Sequence, residues 1–597
     1  NGYELYVNGK RVGGEILYDP DGWEGAEIFD VLPFLITGKN VIAVRGTNLG
    51  GPGGLVLNFV SDILRFASDG SFKVSMKEES GWVEIGFDDS GWKNAKEIAE
   101  LGGGPWGSIR NLNIRIEKEP LGPKVEDVTR MPIDTSQRTY SVNVPEGRYE
   151  LQLFYTVPGG FDYHNPSACH ALLNMLHYEI ERRFPDELGK TIAGSFQDEF
   201  PPTPRFSKLF LEEFPKRKGY DIVDYLPALI RDVVSWSGKN SAPSTVKVRC
   251  DSADVASSLA EEAFFIPLEQ WHEKYGMLCG YDQTVRNADP FRGEEYYVDY
   301  FKTMRHYSAP GNDMDGDCKP HQSIADLYNK PRVWIEAFHS SGWGQTIEEI
   351  ATLLHPWVLN GATLFDPHAI YYSIHGSYWE WAPPDTGWRQ PYFVHYKVLS
   401  DYVARMCWLL TQGKHKVEVG LLHPATTTHA YISYQINLPG AKRVADAYWN
   451  VQKFLRQHHI DYIILDEDSV ARGEVQDNNL VINEIYLRVL ILPSAEFIRS
   501  TTVEKLGRYA QSGGLLFVYG NYPSIISDIV DLTPELEQLL KIVQEKSQII
   551  TNLDEWAKGL RQTVAVSTVE SLPVLERDVN GKPVYFVMSD EGTPATS

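Results

Sequence analysis

The chain is 597 residues long, 43% hydrophobic and 23% charged, with a formal net charge of −24 at pH 7. That composition excludes a disordered polypeptide, and no apolar run approaches the ~20 residues that span a bilayer. A surface so negative repels nucleic acid and anionic lipid, and a length beyond the roughly 250–300 residues at which single cores stop growing calls for three or more domains.

Residues 1–120 read as a β-sandwich. Tyr3-Glu-Leu-Tyr-Val alternates and ends on the turn pair Asn8-Gly9, and Asn40–Arg45 is a second strand. Gly50–Gly54, Phe87–Trp92 and Gly102–Gly107 punctuate the rest. The phrases YELYVNGKRVGG and GKNVIAVRGTN resemble the sugar-binding jelly-roll domain that accompanies β-galactosidase-like hydrolases. That resemblance implies an accessory role.

Residues 121–413 change texture. A linking stretch over 125–155, with a strand at Tyr149–Thr156, leads into helices alternating with short strands. Strands are expected at Thr191–Phe196, Gly276–Tyr281, Thr303–Ser308, Arg332–Ile335 and Ala362–Phe365. Helices are expected at Ala168–Arg183, Ala256–Tyr275 and Thr346–Leu359. Such alternation implies a parallel sheet, and the commonest enzyme of this pattern is a (β/α)8 barrel. Only five or six of eight strands can be found, so the expectation is a barrel incomplete at its N-terminal strands, in a chain that opens on Asn-Gly-Tyr inside a strand.

Residues 414–545 form a second α/β unit, with strands at Val417–Leu422, Asp461–Leu465, Val489–Pro493 and Gly513–Val518. It resembles the amidotransferase-like domain beside the barrel of some β-galactosidases and rhamnosidases, without a nucleophile elbow, and offers a surface for oligomerisation. Residues 546–597, with Lys582–Met588 as a strand, read as the start of a truncated C-terminal β domain. The five cysteines are widely spaced and show no zinc-ligand pattern, which suggests reduced thiols and a cytoplasmic location.

Barrel enzymes carry their chemistry where strands end and βα loops begin. The residues there are Asp198 and Glu199; Tyr281 and Asp282, then Arg286 and Asn287; His306 and Asp313; Glu336, His339 and Trp343; and Asp366 and His368, with Tyr371, Tyr372, His375 and Trp379 beyond. Trp381 and Trp388 join Trp343 and Trp379 as candidates for ring stacking. Carboxylates and imidazoles bind sugar hydroxyls, aromatic faces bind ring faces, and two acids can do the proton chemistry of glycoside hydrolysis. Glu199 ends an apolar strand before Pro-Pro, and Glu336 ends Val-Trp-Ile before a Ser-Ser-Gly loop. They stand about three βα units apart, which sets them across the mouth from one another.

The segments FDYHNPSACHALL, GSFQDEFPPTPRF, Gly219–Ala228, IEAFHSSGW and PPDTGWRQPYF are similar to the α-L-rhamnosidase-type glycoside hydrolases (family 106-like) over roughly residues 125–425. Glu199 and Glu336 look like the two catalytic positions of the wider barrel clan, after the fourth and seventh strands. The resemblance implies a terminal sugar such as α-L-rhamnose, inversion, and calcium near the sugar, although the family's calcium ligands find no match here. The alternating acids of Asp313–Asp317 lack the sixth-position glycine and closing glutamate of a calcium loop, so substrate contact or loop capping competes with metal binding. Glu199, beside Asp198, is assigned as proton donor to the leaving oxygen, and Glu336 as base or nucleophile. A β-galactosidase-like retaining hydrolase and a non-catalytic carbohydrate binder remain as alternatives.

Overall fold

The computed structural model describes residues 2–14, 29–48, 54–60, 65–98, 125–130, 152, 154, 159–237, 242–283, 290–313, 316–338, 341–373, 385–432, 439–564 and 572–588. The chain divides into two compact units, Asn1–Pro123 and Lys124–Ser597.

In the first unit, β1 (Gly2–Val7) lies between β2 (Lys10–Gly13) and β3 (Ile42–Thr47) in an antiparallel sheet. Asn8 and Gly9 both take positive φ (51° and 80°), which suits the primed turn of a two-residue hairpin. Two short antiparallel ladders, Asn58–Val60 with Arg65–Ala67 and Lys73–Val74 with Lys93–Asn94, complete the described strands. The glycine cluster at 102–107 and all but Gly54 of that at 50–54 lie outside the described residues.

The second unit is built on two parallel sheets. The first has five strands in chain order across the sheet: β4 (Gly194–Phe200), β5 (Leu278–Gln283), β6 (Ala309–Asn312), β7 (Trp334–Ala337) and β8 (Leu364–Pro367). Helices fill the connections: α1 (Thr245–Ala260) and α2 (Ile266–Tyr275) precede β5, α3 (Pro290–Tyr297) precedes β6, α4 (Lys319–Leu327) precedes β7, and α5 (Ile347–Leu359) precedes β8. Thr346 and Glu349 close a capping box at the start of α5. Five neighbouring parallel strands with crossover helices are the repeat of a (β/α) barrel, here as a curled, open half-barrel.

Curling is visible in the side chains. Phe196 of β4 and Trp334 of β7 have ring centroids 4.3 Å apart, although two strands separate theirs. The space beneath the rings comes from Gly280 and Gly311. A Cβ on Gly311 would lie 2.6 Å from Trp334, so only glycine lets the indole cross β6.

One expected strand is displaced. Thr303–Ser308 is not extended: Tyr300–Met304 is a helical turn capped by Asp299, and the strand is the next segment, Ala309–Asn312. Its Ala-Pro-Gly-Asn sequence has poor intrinsic strand propensity. It is buried on both faces, where small residues are needed under Trp334.

The second sheet orders β9 (Val419–Leu422), β10 (Ile463–Leu465), β11 (Val489–Pro493), β12 (Leu515–Tyr519) and β13 (Gln548–Ile549) as β10-β9-β11-β12-β13, all parallel. It takes its last strand from beyond residue 545, and the following helix, Leu553–Thr563, buries Leu553, Ala557 and Leu560 in the core beneath it. The sequence boundary at 545 therefore falls inside this layer. The terminal hairpin, Val574–Val579 with Lys582–Val587, pairs with Lys414–His415. A single hydrophobic core runs from the helix side of the half-barrel, through Phe200, Phe265 and Tyr307, to Val419, Leu421 and Tyr448 of the second layer.

Candidate active site

Side chains alternate across a strand, so the helix-facing partners fix which residues face the hollow. Ser195 bonds His272 of α2 (2.7 Å), which puts Ser195 and Gln197 on the helix side, and Phe196 and Asp198 in the hollow. On β7 the indole of Trp334 faces the hollow, and so therefore does Glu336. Asp366 is the register partner of Glu336 on β8.

The end of β4 is irregular. Gln197 pairs with Tyr281 and Phe200 with Gln283, so Asp198 and Glu199 together oppose Asp282. This is a β-bulge, and Glu199 takes the left-handed φ of 40° that it requires. Strict alternation from Ser195 would turn Glu199 toward the helices. The extra residue resets the alternation: Phe200 drops into the helix-side core, and both Asp198 and Glu199 are left exposed at the strand end.

Glu336 is 9% exposed, and its carboxylate lies 3.8 Å from Nε2 of His368. Asp366 titrates above the ordinary aspartate range. Desolvation in the hollow is the main cause; His368 opposes it and the charge of Asp198 adds to it. Asp198 and Asp366 stand on opposite edges of the sheet, about 19 Å apart were it flat, so their coupling also reflects the curl. The loop after β8 is held by a second segment. Thr386 donates its N–H to the Ala369 carbonyl (2.7 Å), and Arg389, paired with buried Asp385, donates to the Tyr371 carbonyl (2.8 Å). Gln390 reaches the Trp343 carbonyl after β7 (3.4 Å), and Trp388 stands exposed over Arg389. Sequence reasoning singled out this segment as a resemblance and, within it, Trp388 as a stacking candidate. The Phe196–Trp334 layer went unnoticed, since nothing local links residues three strands apart.

Several expected site residues are elsewhere. Tyr281 is fully buried on the helix side, stacked on Tyr307 (3.9 Å, 14°), so it is a core residue. His306 precedes β6, at the opposite end of the sheet from the acids. Its ring bridges Glu269 (2.6 Å) and Glu261 (2.7 Å), which raise its pKa against the effect of burial, so it is an ion-paired support. Asp313, by contrast, follows β6 at the same end of the sheet as the acids, and is buried. Asp317 accepts from the Lys319 N–H (2.9 Å) and from Arg456, and so caps the following helix, while Met314 and Asp315 of the 313–317 loop lie outside the described residues. Among the described residues no cluster of His, Cys, Asp or Glu could hold a metal. The side chain of Asp282, and Arg286, Asn287, Asp315, His339, His375, Trp379 and Trp381, lie outside the described residues, as does most of Tyr149–Thr156. All five cysteines are free, and no described helix is long and apolar enough to cross a membrane.

No family profile matches the sequence. Over 116 residues, 18% of this chain and 11% of the relative, it is 39% identical to an α-L-rhamnosidase of Streptomyces avermitilis. Over 437 residues, 71% of this chain and 33% of the relative, it is 21% identical to a Formosa agariphila protein named as a candidate β-glucuronidase. The chain thus spans a third or less of the curated relatives it matches. A rhamnosidase structure from Novosphingobium sp. PP1Y superposes with a TM-score of 0.52 at 16% identity, covering 71% of this chain and 42% of that one. In sequence this chain is similar to glycoside hydrolases, and it shares the fold of one.

Proposed function

We propose that the protein is a glycoside hydrolase that removes a terminal sugar, α-L-rhamnose being the first candidate, by a two-carboxylate mechanism. The supporting observation is the bulge at the end of β4, which presents Asp198 and Glu199 at the mouth of a hollow whose far side carries Glu336 and Asp366. Glu199, exposed at the rim, protonates the leaving oxygen. Glu336, largely buried and near His368, acts as the ionised base or nucleophile. Asp198, Asp313, Asp366, His339, His368, Trp343 and Trp379 supply hydroxyl and ring contacts. The first unit serves as a jelly-roll sugar-binding accessory, and the second parallel sheet as an amidotransferase-like scaffold and a surface for self-association. Carboxyl separation decides the stereochemistry, about 5–5.5 Å giving retention and about 6.5–9.5 Å inversion.

The test is a panel of aryl glycosides headed by the α-L-rhamnoside, with Glu199→Gln and Glu336→Gln as variants and NMR of the first-formed anomer. The reading stands if one glycoside is cleaved and both variants lose that cleavage while remaining folded. If the wild type binds sugars and cleaves none, the protein is a carbohydrate binder. Retention on a β-galactoside would favour the β-galactosidase-like alternative.

A further inference from the structure

A buried histidine stands where the half-barrel, the second layer and the terminal hairpin meet. His415 lies in the short strand Lys414–His415 that pairs with the hairpin, and its side chain is fully enclosed. Its Nδ1 is 2.8 Å from Asp326 of α4, on the half-barrel. Its Nε2 is 2.7 Å from Asp461, just before β10 of the second layer. An ionised carboxylate only accepts hydrogen bonds, so both ring nitrogens carry protons and the ring is an imidazolium. A neutral ring would turn one lone pair toward a carboxylate in a buried place.

The surrounding charges balance in that state. Lys319 pairs with Asp461, so two cations face two anions. The hairpin adds one charge of each sign, Arg577 beside Asp326 and Glu576 near His415. Lys414 pairs with Glu484 (3.4 Å), and Lys416 and Glu418 act on Glu576 with opposite signs. Burial draws the pKa of His415 down, but Asp461 and Asp326 outweigh it and hold it above the ordinary imidazole range.

The hairpin itself is lightly held. Among its described residues only Leu575 is buried, against Val358 of α5 and Met406 and Leu410 of the helix Tyr396–Leu410. Its polar ties gather on the segment around His415. Arg577 donates to the Gln412 and Gly413 carbonyls (2.8 and 2.9 Å), and the Lys416 N–H donates to the Glu576 carbonyl (2.9 Å). An element with so little buried surface can open by itself.

We propose that the His415 imidazolium is a latch, and that losing its proton to solvent at alkaline pH releases the terminal hairpin while both parallel sheets stay folded. A histidine whose folded pKa is raised stabilises fully below its unfolded value of about 6.5, and that contribution is lost as pH rises through the folded pKa. The proposal does not depend on the hydrolase reading.

The test is hydrogen exchange of the whole chain between about pH 6 and about pH 9, expressed as protection factors so that the intrinsic pH dependence of exchange cancels. Protection of residues 574–587 should fall about tenfold for each unit by which the folded pKa of His415 exceeds its unfolded value, with β11 unchanged. Asp326→Asn leaves one carboxylate on the ring and should move the fall to lower pH. His415→Gln should leave the hairpin weakly protected at every pH, without the fall. Histidine NMR should show one ring, absent from His415→Gln, titrating above the ordinary range. A hairpin whose protection does not change with pH would overturn the proposal. So would the same fall in His415→Gln, an unmoved midpoint in Asp326→Asn, or an equal loss in β11, which would mark global unfolding.

Discussion

The half-barrel and the second layer are both five-stranded parallel sheets, yet they treat the acids at their strand ends in opposite ways. In the second layer those acids are consumed. Asp466 follows β10, caps the next helix and accepts from Tyr328 (2.7 Å), while Glu467 accepts from the Arg499 N–H (2.9 Å) and the Thr502 hydroxyl (2.8 Å). In the half-barrel the bulge and the register pairing place acids toward an open concave face instead. A carboxylate at a strand end is thus no signature of a site by itself. What distinguishes the half-barrel is the shape behind the acids, made by Gly280, Gly311 and the rings they accommodate.

The largest effect should come from the acids of the hollow. Glu336→Gln and Glu199→Gln should each lower kcat/KM on the active glycoside by about 10²–10⁴-fold with Tm little changed, measured by aryl release and thermal melts. A comparable loss in Asp466→Asn would erase the contrast between the sheets. That variant should instead keep its rate within a factor of two.

The junction between the layers should dominate stability. Glu294 is fully buried between His423 (2.9 Å) and His429 (2.8 Å). Burial pushes its pKa up, but the two histidines outweigh that and hold it at about 2. A depressed carboxylate stabilises the fold above its unfolded pKa, and this contribution is lost as pH falls from about 4.5 toward 2. Glu294→Ala should cost about 3–5 kcal/mol at pH 7, as expected when one partner of a buried charged cluster is removed. The difference from wild type should shrink on acidification, as denaturant melts would reveal.

Next comes the floor of the hollow. Gly311→Ala drives a methyl into Trp334 and should cost about 1–3 kcal/mol. If the hollow is the site, activity should fall further than the loss of folded protein explains. The smallest effect tests a cap alone: Thr346→Ala should cost about 1 kcal/mol, read from the urea midpoint.

Legibility followed the range of each interaction. The Asn8-Gly9 turn, the helix from Thr346 to Leu359, and four of the five half-barrel strands were plain, because their signals lie within a few residues. The strand at Ala309–Asn312 was misplaced onto its neighbour because its residues were chosen for packing under Trp334. That same slip put His306 on the rim and hid its pairing with Glu261 and Glu269. Tyr281 looked like a rim residue because it ends an apolar run, yet the face it takes depends on where Tyr307 packs.

From the sequence alone came the alternation of strands and helices, the parallel sheets it demands, and the stock of acids and aromatics at the strand ends. These follow from periodicity and local propensity, which are properties of short stretches of chain. Only the tertiary structure decided which acids face the hollow, because one extra residue in β4 reverses a strand's faces and because two glycines let the sheet curl. Curvature and facing are relations between strands up to 170 residues apart, and no local pattern carries them.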